Sequence, residues 1–368
     1  MSTDITRRLD AARTAAAEAG VDALLVTPGA DLRYLTGFAA MPLERLTCLV
    51  LPVEGDPVLV LPRLELAMAL EAGVDSHDIV LHGWGETEDP FAAAAAPLEG
   101  ARRVAVDDHM WAERVFAFRS ALPGAEQVLA SPVLRGLRLR KTATEVDALR
   151  EAGAAIDRVH SRVGEWLRPG RTEREVGRDL AEAILAEGHE SVDFVIVGSG
   201  PNGASPHAEV SDRVIEAGAP VVIDIGGTMP SGYCSDSTRT YVAGGTAPAE
   251  LVAFYEVLQR AQEAQCAHAR PGVTAGSVDT VGRDLIDAAG FGKAFLHRTG
   301  HGIGLETHEE PYIVTGNDLV LEPGMAFSIE PGIYLEGKYG ARIEDIVVTT
   351  DDGLERLNLT SRDLVVID

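Results

Sequence analysis

"PVVIDIGGTMPSGYCSDSTRTYV", residues 220–242, decides how this chain is to be read. A very apolar run ends at Asp224, a glycine-rich segment follows, and Asp236 opens a second strand-like run. The two carboxylates are 12 residues apart in the sequence, a separation that a hairpin can close. Either aspartate alone also reads as a turn or cap residue. A carboxylate buried beside "VVI" is costly unless it finds a partner.

A second pair lies downstream. Glu330 follows the run "MAFSI", and Glu344 stands in "GARIEDIVVTT", where a β-branched strand is expected to contain it. Arg342, two residues earlier, would share its face. Between the pairs runs "HRTGHGIGLETHEE", His297–Glu310, with three histidines and three glutamates. Gly300 and Gly302 flank His301. They permit unusual backbone angles and close approach of other groups, which places His301 on a tight turn as a ligand. Four carboxylates and one imidazole without thiolates favour Mn²⁺, Co²⁺ or Fe²⁺, and also accommodate Zn²⁺. Five ligands exceed the needs of one open catalytic ion, whereas bridging carboxylates suit two ions about 4 Å apart.

The remainder of the chain bounds this reading. With 368 residues, two domains are expected. The 32 Lys and Arg against 57 Asp and Glu give a formal charge of -25, a poor match for phosphate backbones, so nucleic acid is excluded as a partner. Cys48, Cys234 and Cys266 are scattered, which argues against a disulfide framework and a thiolate zinc site. No secretory leader and no apolar run of about 18 residues is visible, so a cytoplasmic protein off the membrane is expected.

Residues 1–135 alternate helix and strand: "ITRRLDAARTAAAEAG" as a helix, "VDALLVT" as a strand, "LTCLVLPVEGDPVLVLP" as a hairpin. This predicts an α/β domain with a mixed sheet. A boundary is expected near residues 131–144, with a helix starting at Thr142 or Thr144. Residues 136–368 then run as helices followed by short antiparallel-type strands, an α+β domain.

On these motifs the chain resembles the pita-bread metallopeptidases, the family of methionine aminopeptidase, aminopeptidase P and prolidase. "DLRYLTGF" from Asp31 resembles the N-terminal, creatinase-like domain of the prolidase and aminopeptidase P branch, which methionine aminopeptidases lack. The resemblance implies that Asp224, Asp236, His301, Glu330 and Glu344 bind two divalent ions, most often Mn²⁺. Asp236 and Glu344 would serve both ions, Asp224 one, and His301 and Glu330 the other. It implies substrate contacts from His207 in "GPNGASPHAEV", from His297, and from His308, which would steady the tetrahedral intermediate. Arg342 would orient a metal carboxylate.

The implied activity is hydrolysis of the Xaa-Pro bond of dipeptides by a hydroxide shared between the ions. Glu330 would relay its proton, and a homodimer is implied, in which the N-terminal domain of one subunit borders the active site of the other. Aminopeptidase P, acting on longer proline-containing peptides, is the alternative. A creatinase-like metal-free hydrolase and a non-catalytic binding module are remote, because such proteins typically lose ligands that all stand here. Two departures are visible. The interval from Asp224 to Asp236 is a residue longer than the family's, and Tyr312 stands where some prolidases carry an arginine for the dipeptide's carboxylate.

Overall fold

The computed structural model describes residues 2–367. The chain falls into two compact units, Met1–Arg138 and Leu139–Asp368. No helix among the described residues is long and apolar enough to cross a membrane.

The first unit is built on six strands: β1 (Ala23–Val26), β2 (Cys48–Pro52), β3 (Val58–Pro62), β4 (Val80–Trp84), β5 (Arg103–Val106) and β6 (Glu126–Leu129). They order as β4-β3-β2-β1-β5-β6. The β2–β3 hairpin is antiparallel, while β1–β5, β5–β6 and β3–β4 are parallel, so the sheet is mixed. Leu25, Val50, Val60 and Val104 supply one apolar face, closed by Phe118 from the helix Ala112–Ala121.

The second unit opens with two capped helices. Thr142 caps Ala143–Ser161 and Thr172 caps Glu173–Ala186, each in a reciprocal box with a glutamate three residues on. Four strands follow as one sheet in the order β17-β9-β8-β7: β7 (Ser191–Ser199), β8 (Ala219–Thr228), β9 (Cys234–Ala243) and the C-terminal β17 (Val365–Ile367). A second sheet runs β11-β10-β12-β15-β16, from β10 (Gly300–Gly302), β11 (Glu309–Ile313), β12 (Ala326–Ile329), β15 (Asp345–Thr349) and β16 (Leu354–Arg356). A separate hairpin pairs β13 (Gly332–Leu335) with β14 (Tyr339–Arg342).

Two runs that read as single strands are broken in the structure. "MAFSIEPGIYL" divides at Glu330-Pro331, because proline has no N–H for the ladder, and its halves enter different sheets. "ARIEDIVVTT" divides at Ile343–Glu344, so Glu344 lies in the junction between β14 and β15 and not inside a strand.

Glu173 is fully buried, yet none of its hydrogen bonds comes from a cation. Its carboxylate accepts from Ser199 N and Oγ, Asn202 Nδ2 and Ser211 Oγ at 2.6–2.8 Å. It also sits in the first turn of a helix, where the dipole favours a negative charge. These bonds fasten both ends of the loop that carries His207.

His160 gives the second unit an acid-sensitive point. Its Nε2–H donates to Ser237 O at 3.1 Å, and Nδ1 accepts from Tyr241 Oη at 3.0 Å. Burial, then the charge of Arg239, pushes its pKa from 6.5 down to about 3. The unfolded chain therefore binds the proton first, and stability falls as pH drops from about 6.5 toward 3. The slope is at most about 1.4 kcal/mol per pH unit for one proton. Urea midpoints at pH 7.5 and 5.0 should fall less for His160→Gln than for the wild type. Parallel falls would show that His160 is not the acid-sensitive group.

Candidate metal centre and catalytic site

Antiparallel pairing sets the first two carboxylates. Asp224 faces Thr238 and Gly226 faces Asp236 across β8–β9, so both aspartates occupy diagonal positions on one face of the sheet. Gly226 is required there, since a Cβ would meet the Phe194 ring at 2.5 Å. Glu344 is tied to the same hairpin: its N–H donates to Thr238 O at 3.1 Å, and Thr238 Oγ1 donates to its Oε2 at 2.6 Å. Asp224, Asp236 and Glu344 are all buried and offer oxygens within 4.8 Å of one another.

His301 comes from the second sheet. It lies at the centre of the three-residue β10, not on a tight turn. Its flanking glycines have no positive φ. They clear space for neighbouring strands: a Cβ on Gly300 would lie 1.9 Å from Ser328 O, and one on Gly302 would lie 2.1 Å from Glu310 O. The two glycines thus serve close approach and not an unusual backbone angle. Nδ1–H of His301 donates to Gly302 O at 3.1 Å. Nε2 then points at Glu330 Oε1, 3.2 Å away, and Asp236 Oδ2, 3.6 Å away. Glu330 is steadied by Ser328 Oγ at 3.0 Å.

Three features fit this cluster to divalent cations. A neutral imidazole whose Nδ1 donates to a backbone carbonyl presents an Nε2 lone pair to carboxylate oxygens, an arrangement suited to a cation between them. Asp224 Oδ1 is buried without a hydrogen-bond partner. Burial, then the neighbouring carboxylates, pushes Asp236 and Glu344 well above the usual carboxylate range. Burial also opposes ionisation of Glu330, but a hydrogen bond and charge from His301 in its protonated form, with the charge of Arg342, would hold it down to about 2.

Arg342 organises the rim. Its Nη2 donates to Asp224 Oδ2 at 2.5 Å, its Nε to Thr238 Oγ1 at 3.0 Å and its Nη1 to Tyr334 Oη at 2.8 Å. Tyr334 Oη in turn bonds His297 Nε2 at 2.8 Å, while His297 Nδ1 donates to Arg298 O at 2.7 Å. Both nitrogens of His297 are thus engaged, and burial lowers its pKa, so it stands as a neutral wall. A Cβ on Gly332 or Gly340 would meet Tyr334 at 2.4 or 2.6 Å, which explains both glycines.

A cavity of about 710 Å³ opens over these groups, lined also by His207, His308, Arg298 and Phe194. His207 is exposed, on the loop fastened by Glu173. The His308 ring lies 4.0 Å from that of His301, centroid to centroid. Burial, then the adjacent His301, lowers its pKa to about 4. The backbone beneath His308 is fixed by the buried pair of Glu309 with Lys141. Tyr312 does not stand alone: the Arg298 guanidinium sits 4.3 Å from its ring centroid. Arg298 and Tyr334 were not singled out in the sequence, although Arg298 is the one cation in the 297–310 stretch.

Carboxylates and an imidazole converging from two sheets, beneath a cavity with histidines at its rim, define a metallohydrolase site. Residues 147–351 match the model of metallopeptidase family M24, and residues 8–140 match the creatinase/prolidase N-terminal domain. The chain belongs to metallopeptidase family M24. It is similar to dipeptidase PepE from Mycobacterium ulcerans, a crystal structure, with 53% identity and a TM-score of 0.93, covering 100% of this chain and 98% of that one. A recombinant prolidase from Thermococcus sibiricus, also a crystal structure, shares 37% identity with a TM-score of 0.92 over 99% of both chains. Xaa-Pro dipeptidase from Lactobacillus helveticus is 38% identical over 348 residues, 91% of this chain and 92% of that protein. The fold joins a creatinase-type N-terminal domain to a pita-bread domain, and the chain is a metal-dependent peptidase.

Proposed function

We propose that this enzyme is an Xaa-Pro dipeptidase whose length limit is set by Arg298. The observation that carries this reading is the Arg298 guanidinium stacked on Tyr312 at the wall of the cavity that holds His308. A cation so placed can bind the free carboxylate of a dipeptide in place of the arginine that position 312 lacks. A longer peptide has no carboxylate at that point.

Asp224, Asp236, His301, Glu330 and Glu344 would hold two divalent ions, and the oxygen-rich set favours Mn²⁺. The ions supply Lewis acidity and a water-derived nucleophile at neutral pH. Glu330, ionised and braced by Ser328, takes up and relays the proton. His308 donates a hydrogen bond to the developing oxyanion. His207 and the neutral ring of His297 enclose the proline, whose missing N–H leaves no donor to satisfy. Three free cysteines support a reducing, cytoplasmic setting, and the working form proposed from the family resemblance is a homodimer.

The test is cleavage of Ala-Pro and Ala-Pro-Ala with Mn²⁺, each with an EDTA control. EDTA-sensitive cleavage favouring Ala-Pro is expected. Arg298→Met should raise KM for Ala-Pro roughly 10- to 100-fold, as for loss of a charged hydrogen bond. A wild-type preference for Ala-Pro-Ala would instead make this an aminopeptidase P.

A further inference from the structure

Five carboxylate side chains line the cavity, and four of them form the metal cluster. The fifth, Asp193, has no role in that cluster. It sits on β7, where pairing with β8 shifts register: Val192 faces Gly227 and Phe194 faces Gly226, leaving Asp193 as the extra residue. In a regular strand Asp193 would point away from the face that Phe194 and Ile196 share. A bulge re-aims the side chain, and all three residues line the same cavity. The carboxylate is held in place by Thr228 Oγ1 at 2.8 Å and Ser191 Oγ at 3.2 Å. Asp193 has no cationic partner among the described residues.

The cavity therefore has two unlike walls. The β10–β11 side brings the cation of Arg298, and the β7 side brings an apolar shelf ending in a carboxylate. A lysine or arginine side chain matches the second wall in full: its methylene stem covers Phe194 and Ile196 while its charge reaches Asp193. We propose that Asp193 is a specificity-determining residue that makes the enzyme favour substrates with lysine or arginine before the cleaved bond. This rests on the Xaa-Pro dipeptidase reading above.

The experiment compares kcat/KM of the Mn²⁺-loaded enzyme for Lys-Pro, Leu-Pro and Glu-Pro. Asp193 is exposed, so screening limits its effect. The Lys-Pro to Leu-Pro ratio should fall about threefold to tenfold in Asp193→Asn and by less in Thr228→Val. Asp193→Lys should raise the Glu-Pro to Lys-Pro ratio above that of the wild type. In the wild type, 0.5 M NaCl should shrink the Lys-Pro to Leu-Pro ratio, a readout that needs no variant. An equal loss on Lys-Pro and Leu-Pro in Asp193→Asn would overturn the proposal, since it would mean contact with the α-amine common to both. So would ratios that neither substitution nor salt alters. Failure of the wild type to cleave any of the three dipeptides would sink the underlying dipeptidase reading as well, and is distinct from cleavage without charge preference.

Discussion

Replacing Glu344 by glutamine is expected to lower kcat by about a thousandfold or more and to release bound metal. The ions are asked to supply several kcal/mol of transition-state stabilisation, and about 4 kcal/mol corresponds to a factor of roughly 10³. The substitution is mild for the fold. Thr238 Oγ1 donates to Glu344 Oε2, and a glutamine carbonyl can accept the same bond. The backbone bond from residue 344 to Thr238 O is untouched. Metal content after gel filtration and the Mn²⁺-induced rise in Tm should fall together with activity, because a ligand that binds only the native state stabilises it by mass action. A variant that keeps full metal content and full kcat would remove Glu344 from the centre.

The second large effect is expected at His308. Its Ala variant should lose about 10²–10³ in kcat, the scale for one donor to a developing oxyanion, with KM altered only a few-fold. Geometry leaves a rival role open to direct test. His308 offers a ring nitrogen within 4.8 Å of ligand atoms of Asp236 and His301, so it could bind metal itself. Metal analysis separates the two roles. Retained metal with depressed kcat supports the donor role, and metal lost in proportion to activity would reassign His308 as a ligand.

That carboxylates and His301 cluster was partly legible in the sequence, where a placement breaks a local rule. A carboxylate after "VVI", another after "AFSI" and a third before "DIVV" are costly placements that local structure alone does not explain. The helix start is local too: the sequence offers Thr142 or Thr144, and the reciprocal box with Glu145 places the cap at Thr142. What could not be read depends on pairing between distant strands. Tyr334 reaches His297 across 37 residues, through the register of one hairpin and the position of another segment. Asp193 enters the cavity only because one ladder slips by a residue. The glycines around His301 suggest both unusual backbone angles and close approach, and the structure uses only the second, to admit neighbouring strands. Glu344 reads as part of a strand because the β-branched run "IVVTT" follows so closely, and the break after Arg342 has no marker as clear as Pro331.

The Glu173 fastener has a consequence for how this enzyme could diversify. Four short bonds knot the segment between Ser199 and Ser211, Asn202 included, while Gly203 is pressed against Gly198 and Val210 packs on the core, so the fold leaves only the exposed positions around His207 unclaimed. The span around His207 is then a cassette. Ser205 and Glu209, its exposed positions beside His207, can drift or be exchanged in the laboratory while the sheet beneath continues to hold the ligands in register.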